Sequence, residues 1–180
     1  MRRELLIGCG VDRNKRLWSQ GYEKWTNLVT LDINPEVKPD MVWDLEKLPY
    51  TWADGNTFDE IHAYHVLEHL GTQGDYRFFF AQFEELWRIL KPDGCLAAMV
   101  PAWNDGWAWG DPGHRRIISD ESLTFLSQAE YCKQLDNPDK TQRTPMTDYR
   151  WCYKADFVRI AQGAMDDDDE TYFFVLKAIK

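Results

Sequence analysis

Apolar positions in this chain fall in short unbroken runs: Leu5-Leu6-Ile7, Leu28-Val29-Thr30-Leu31, Met41-Val42-Trp43, and Cys95-Leu96-Ala97-Ala98-Met99-Val100. A further stretch over residues 58–65 carries Ile61, Ala63 and Tyr64 in its interior. Runs of this kind fit strands buried on both faces of a parallel sheet, and such strands need helices to cover them. The clearest helical pattern starts at Gly74-Asp75, with Tyr76, Phe79, Phe80, Phe83, Trp87 and Leu90 recurring at helical spacing. Lys91-Pro92-Asp93-Gly94 is its stop signal. Ser119-Asp120-Glu121-Ser122 opens another helix around Leu123, Phe125 and Leu126, whereas residues 11–25 predict at most a short one. Residues 156–161 and 171–179 read as two strands joined around Asp166-Asp167-Asp168-Asp169, a solvated turn because adjacent carboxylates repel one another. Residues 136–147, polar with two prolines, read as a surface insertion. Strands alternating with helices and then a closing hairpin predict an α/β open sheet, with residues 1–180 as one domain.

Composition narrows the class. With 180 residues, 44% hydrophobic and 28% charged, the chain can build a core without staples. No apolar run approaches the ~18 residues of a membrane span, and the Met1-Arg2-Arg3 start leads into a strand, so a cytoplasmic location is expected. Cys9, Cys95, Cys132 and Cys152 form no C-x-x-C pair, which removes zinc-knuckle and redox motifs. A net charge of −9 argues against nucleic acid as a partner.

Candidate chemistry begins where the first run ends, at Gly8-Cys9-Gly10. Glycines there let the backbone turn sharply and approach a ligand closely. Asp32 closes the second run 22 residues after Gly10, near the spacing by which nucleotide-binding βαβ units bring an acid to ribose hydroxyls.

Leu6-Ile7-Gly8-Cys9-Gly10, Leu31-Asp32-Ile33, Asp44-Leu45, Phe58-Asp59-Glu60-Ile61, His65-Val66-Leu67-Glu68-His69 and Leu90-Lys91-Pro92-Asp93-Gly94 occur in this order along the chain. As an ordered set they resemble the class I S-adenosylmethionine-dependent methyltransferases. The resemblance implies a doubly wound, mostly parallel seven-stranded sheet with an antiparallel C-terminal hairpin and helices on both faces. It further implies S-adenosylmethionine as cofactor and methyl transfer to an acceptor. Nothing in the sequence separates a small metabolite, a sugar, a nucleobase or a protein side chain, and a small or compact acceptor is expected because no recognition domain is evident. Carried over by residue, Gly8, Cys9 and Gly10 would pass beneath the methionine part of the cofactor. Asp32 would accept from the ribose hydroxyls and Ile33 would pack on the adenine. Asp44 would accept from the adenine amino group, and the amide of Leu45 would meet a ring nitrogen. His65 would face the methyl donor, as the candidate general base. Many members carry a third glycine where this chain has Asp12, whose side chain could crowd the cofactor or bind its amino group.

Other readings compete. The same fold can serve as a non-catalytic nucleotide-binding or scaffold module. A nicotinamide-dependent oxidoreductase shares Gly-x-Gly and the acid, but its third glycine would fall at Arg13. His65 to His69 spells H-x-x-E-H, which in zinc peptidases requires a helix and a third ligand. No convincing third ligand is evident in the sequence, so no metal is expected, and Glu68 and His69 read as bracing residues. Trp103, Trp107 and Trp109 lie in a glycine-rich loop after the fifth strand, where open sheets bind ligands. They can stack a planar acceptor or pin the loop to the core. His114, with Arg115 and Arg116 beside it, can bind an anionic group or be solvated. Oligomeric state is not legible.

Overall fold

A computed structural model of the protein describes residues 2–143, 146–165 and 170–180. The acidic run at Asp166–Asp169 lies outside them, so the turn predicted there is not described. The strands are β1 (Glu4–Ile7), β2 (Leu28–Asp32), β3 (Met41–Val42), β4 (Phe58–Tyr64), β5 (Leu90–Pro101), β6 (Phe157–Ala164) and β7 (Thr171–Ala178). They form one sheet in the order β3-β2-β1-β4-β5-β7-β6. The first five are parallel to their neighbours, and β7 runs antiparallel between β5 and β6. The chain leaves β1 toward β2 on one side and β4 lies on the other, so a crevice opens at the carboxyl ends of these strands.

Helix α1 (Tyr76–Ile89) follows the predicted periodicity. The Asp75 carboxylate accepts from Phe78 N–H at 3.1 Å, and Phe80, Phe83, Leu86 and Ile89 are buried. The stop signal ends the helix but does not delay the strand. β5 begins at Leu90 and absorbs Asp93, at φ 61°, as an irregularity between the Phe58–Leu90 and Glu60–Cys95 pairings. Helix α2 (Gly106–Gly110) lies within the tryptophan loop. The helix expected after Ser119 is split into α3 (Asp120–Thr124) and α4 (Gln128–Leu135), because Ser127 accepts from Glu130 N–H and starts a second helix.

One face of the sheet presents Leu5, Ile7, Leu31, Ile61, Ala63, Leu96, Ala98, Phe174 and Leu176 to a continuous apolar core that takes in α1, α3 and Tyr153. The opposite face departs from the expected helical cover. Residues 11–27 contain no helix, and a non-helical segment lies across Glu4, Glu60 and His62, all fully buried. The cause is the charge on the inner face of β1 and β4. Lys15 Nζ bonds Glu4 Oε1 at 2.6 Å and Glu60 Oε2 at 2.7 Å, Arg2 reaches Glu60 at 2.7 Å, and Thr26 N–H donates to Glu4 at 2.7 Å. Ser19 Oγ also donates to Glu60. Two buried carboxylates need several donors from different directions, which an extended segment supplies and an apolar helix face does not.

Candidate functional site

A cleft of about 340 Å³ opens at the carboxyl ends of β1, β2 and β4, lined in part by Gly8, Asp32, Ile33, Asp44, Leu45 and His65. Six of the eight predicted cofactor-pocket and catalytic residues thus line one space. Cys9 and Gly10 lie behind it: the Cys9 side chain is buried, and Cys9 N–H donates to Leu31 O at 3.1 Å. Burial pushes the Cys9 thiol up, so it is a packing group rather than a nucleophile.

The glycine turn and the acid meet directly. Gly10 N–H donates to Asp32 Oδ2 at 2.8 Å, and Asn34 N–H donates to Oδ1 at 2.9 Å. Each oxygen keeps a lone pair, so the carboxylate is fixed in orientation yet able to accept again. Gly8 has φ +59°, and a Cβ there would lie 2.5 Å from Val66 Cγ2, so only glycine lets the turn pass the end of β4. Asp12 has partners within its own loop. Its Oδ1 accepts from Asn14 N–H at 3.0 Å and its Oδ2 pairs with Arg16 at 2.7 Å, which folds the side chain into its own loop. The N–H of Asn14, and then Arg16, hold this carboxyl below its ordinary value.

His65 has φ +53°, unusual for a side-chain-bearing residue, while its N–H donates to Met99 O at 2.8 Å. It lines both the cleft just described and a neighbouring one of about 270 Å³ that includes Trp107, Asp111 and His114. The tryptophan trio is divided. Trp107 borders this second cleft, Trp103 faces a separate groove with Asp120 and Tyr172, and Trp109 lines neither. All three are 62–71% exposed, so they do not pin the loop to the core. His114 is drawn inward, its Nδ1 2.9 Å from Trp107 O and its ring 4.8 Å from that of His69. Arg115 pairs with Glu46 at 2.8 Å, and Arg116 is buried over Phe79, so neither extends freely into solvent.

Sequence reasoning passed over Glu46 and Val66. The Glu46 carboxylate accepts from Gly71 N–H at 2.8 Å while holding Arg115, and so closes the rim. Nothing in the spacing of Glu46 signals this, because both partners come from distant loops. H-x-x-E-H does not sit in an α-helix: Val66 is non-helical, and residues Leu67–His69 form a single 3-10 turn. The peptidase arrangement, with two histidines stacked one helical turn apart, is therefore not formed.

The family described as methyltransferase domain matches residues 5–98, just over half of the chain. This chain belongs to the class I S-adenosylmethionine-dependent methyltransferases. No curated protein matches it. Among solved structures, a SAM-dependent methyltransferase from Archaeoglobus fulgidus is 16% identical, with a TM-score of 0.59 over 98% of this chain and 86% of that one. The N-methyltransferase NodS from Bradyrhizobium japonicum is 12% identical, with a TM-score of 0.59 over 99% and 86%. Its complex with S-adenosyl-L-homocysteine gives 0.58 over 99% and 79%. At these identities the likeness is one of fold. Within this methyltransferase the matched stretch spans β1 to most of β5 and so contains the whole cleft at the carboxyl ends of β1, β2 and β4, while the tryptophan loop and the closing hairpin lie beyond it. Among the described residues no helix is long and apolar enough to cross a membrane.

Proposed function

We propose that the protein transfers a methyl group from S-adenosylmethionine to a small or compact acceptor, using the cleft at the ends of β1, β2 and β4 for the cofactor and the space beyond His65 for the acceptor. The observation that carries this is the Asp32 carboxylate, held by two backbone N–H groups beside the glycine turn and still able to accept from a pair of ribose hydroxyls. Ile33, 65% exposed at the mouth of the cleft, offers an apolar surface for an adenine ring. Asp44 and the Leu45 amide lie where the ring's edge would fall, and Gly8 to Gly10 run beneath the methionine portion. The sulfonium makes the methyl electrophilic, so the chain's main task is to align an acceptor atom with it and exclude water. His65 stands between the two clefts and serves as general base where the acceptor must lose a proton. Trp107 and His114 line the acceptor side, Trp103 a groove farther out, and Trp109 the exposed rim of the loop.

Titration calorimetry with S-adenosylhomocysteine tests the reading. Asp32→Ala should weaken binding about 10- to 100-fold through loss of hydrogen bonds to a charged acceptor. Unchanged affinity would remove Asp32 from the site, and no binding to the unaltered protein would remove the function.

A second reading, a module of the same fold without turnover, is favoured by one observation. Residues 11–27 carry no helix, so no helix N-terminus follows the glycine turn to favour a cofactor's anionic end. Mass spectrometry separates the two: conversion of S-adenosylmethionine in the presence of a cell extract supports the enzyme, and binding without conversion supports the module.

A further inference from the structure

Glu68 is 2% exposed, yet neither of its carboxylate oxygens accepts a hydrogen bond. The N–H groups of Arg115 and Arg116 both donate to its backbone carbonyl, not to its side chain. Among the described residues its one ion-pair contact is with His65, whose Nδ1 lies 3.5 Å from Oε1 and attracts it only when the imidazole is protonated; the buried Arg116 borders the same small cavity without pairing with it. A buried carboxylate in this condition needs a cation.

Two histidines stand beside it with their ring nitrogens already sorted. His69 Nδ1 lies 2.9 Å from Gly113 O, and His114 Nδ1 lies 2.9 Å from Trp107 O. A carbonyl can only accept, so each Nδ1 carries a proton and in the neutral ring each Nε2 keeps a lone pair; His114 Nε2 also lies 3.8 Å from Asp111 Oδ2. Histidines that bind metals are oriented in this way, by an N–H donated to a backbone carbonyl behind them. Gly113 permits it at His69, because a Cβ there would lie 3.2 Å from Nδ1. One potential ligand atom from each of Glu68, His69 and His114 lies within 4.8 Å of the other two. Bonds of about 2.0–2.2 Å to a shared ion require these atoms to draw in by roughly an ångström. Among the described residues the other such histidine–carboxylate group, Glu4, Glu60 and His62, is already filled by the Lys15 ammonium.

We propose that Glu68, His69 and His114 bind one divalent ion of the zinc class between the two clefts, and that an oxygen of the methyl acceptor takes an open position on it. Two imidazoles and a carboxylate suit zinc, cobalt(II) or manganese(II) better than the all-oxygen preference of calcium or the thiolate preference of copper(I). His69 lines the cofactor cleft and His114 the neighbouring one, so the ion stands where acceptor and methyl group would meet. The acceptor's part rests on the methyl-transfer reading above; binding of the ion does not. An acceptor hydroxyl on the ion becomes more acidic. Its proton passes to His65, its oxygen bonds to the methyl carbon, and the carbon–sulfur bond breaks with its electron pair on sulfur.

The experiment strips the full chain with chelator and titrates it with Zn²⁺ and Co²⁺. Calorimetry and the visible absorption of bound cobalt follow the ion, and S-adenosylhomocysteine is titrated into both forms. One ion per chain is expected, weakened at least about tenfold in His69→Ala and His114→Ala, a range typical of a lost ligand shell. Glu68→Gln, nearly isosteric, guards against a folding defect and should weaken the ion equally while retaining cofactor-product binding. Stoichiometry that survives all three substitutions, or cofactor-product binding with no ion at all, overturns the inference; the latter leaves methyl transfer standing. An ion lost in the variants, in a protein that ignores S-adenosylhomocysteine, upholds the site and removes the methyl-transfer reading instead.

Discussion

The side chain that Gly8 lacks decides whether the first turn can form. Its φ of +59° already disfavours any L-residue, and the missing Cβ would sit inside van der Waals contact of Val66. Gly8→Ala should therefore cost about 1–3 kcal/mol in a denaturant melt and also lower affinity for S-adenosylhomocysteine, because the same turn forms the floor of the cleft. Gly10 has a positive φ too, but nothing within 4 Å of its absent Cβ, so Gly10→Ala should fall at the lower end of that range. An unchanged melt for Gly8→Ala would show that β4 can yield at Val66. At this scale the sequence was readable where a residue's task depends on its own backbone: both glycines, and an aspartate at a strand end. Glu68 read as a bracing residue because the sequence does not show that its buried carboxylate lacks hydrogen-bond donors. Nothing in a one-dimensional spacing of 45 residues brings His114 beside His69.

Among the elements, the first crossover carries the least regular structure and the most buried charge. Lys15 and Arg2 each pair with both Glu4 and Glu60, but the Lys15 side chain is only 1% exposed, against 15% for Arg2. Lys15→Met should cost about 3–5 kcal/mol, because two buried carboxylates lose the more deeply buried of their two cations, and urea titration of the variant measures it. A smaller loss, under about 1 kcal/mol, would mean that water enters the site. Hydrogen bonding extends the cluster in one direction. Glu60 is a carboxylate, so His62 Nε2 donates to it, which leaves His62 Nδ1 to accept from Tyr64 O–H at 2.7 Å. The Tyr64 oxygen accepts in turn from the N–H groups of Arg16 and Leu17, so the segment is tied back by its own backbone. Strands and α1 were legible because apolar periodicity declares them. The crossover was not, because its cover is specified by scattered polar residues whose partners lie on two separate strands.

For the molecule as a whole, this charged face sets how stability responds to acid. Burial pushes Glu60 up, but bonds from His62, Lys15, Ser19 and Arg2 outweigh it and hold the carboxyl far below the usual range; Glu4 is held down in the same way by Lys15 and Thr26. Burial lowers His62 despite its bond to Glu60, so it is neutral in the folded chain. All three bind protons more readily when unfolded, so each contributes stability that is complete above its unfolded pKa and lost as pH falls toward its folded one. The melting temperature should decline from about pH 6.5, where unfolded histidine takes up a proton, and more steeply below about pH 4.3, where unfolded glutamate does. Glu60→Gln should flatten the lower limb; an equally steep limb in that variant would assign the acid response to other groups. The seven-stranded sheet and its antiparallel closing hairpin agree with what the resemblance implied, whereas residues 11–27 supply no helix to the face bearing Glu4, Glu60 and His62.

Residues 11–27 are joined to the sheet mainly through side chains, with one backbone bond to β1, from Glu4 N–H to Asn27 O, and one backbone bond of their own, from Gly21 N–H to Trp18 O. They can lift away while every strand pairing stays intact, which makes them a separate opening unit with a lower threshold than global unfolding. Deuterium uptake should reach their amides well before those of β1 and β4. Bound S-adenosylhomocysteine, gripping Gly10 and Asp32 next to the segment's start, should slow that uptake far more than it slows exchange in β6. The protein's cofactor wall would then double as its door.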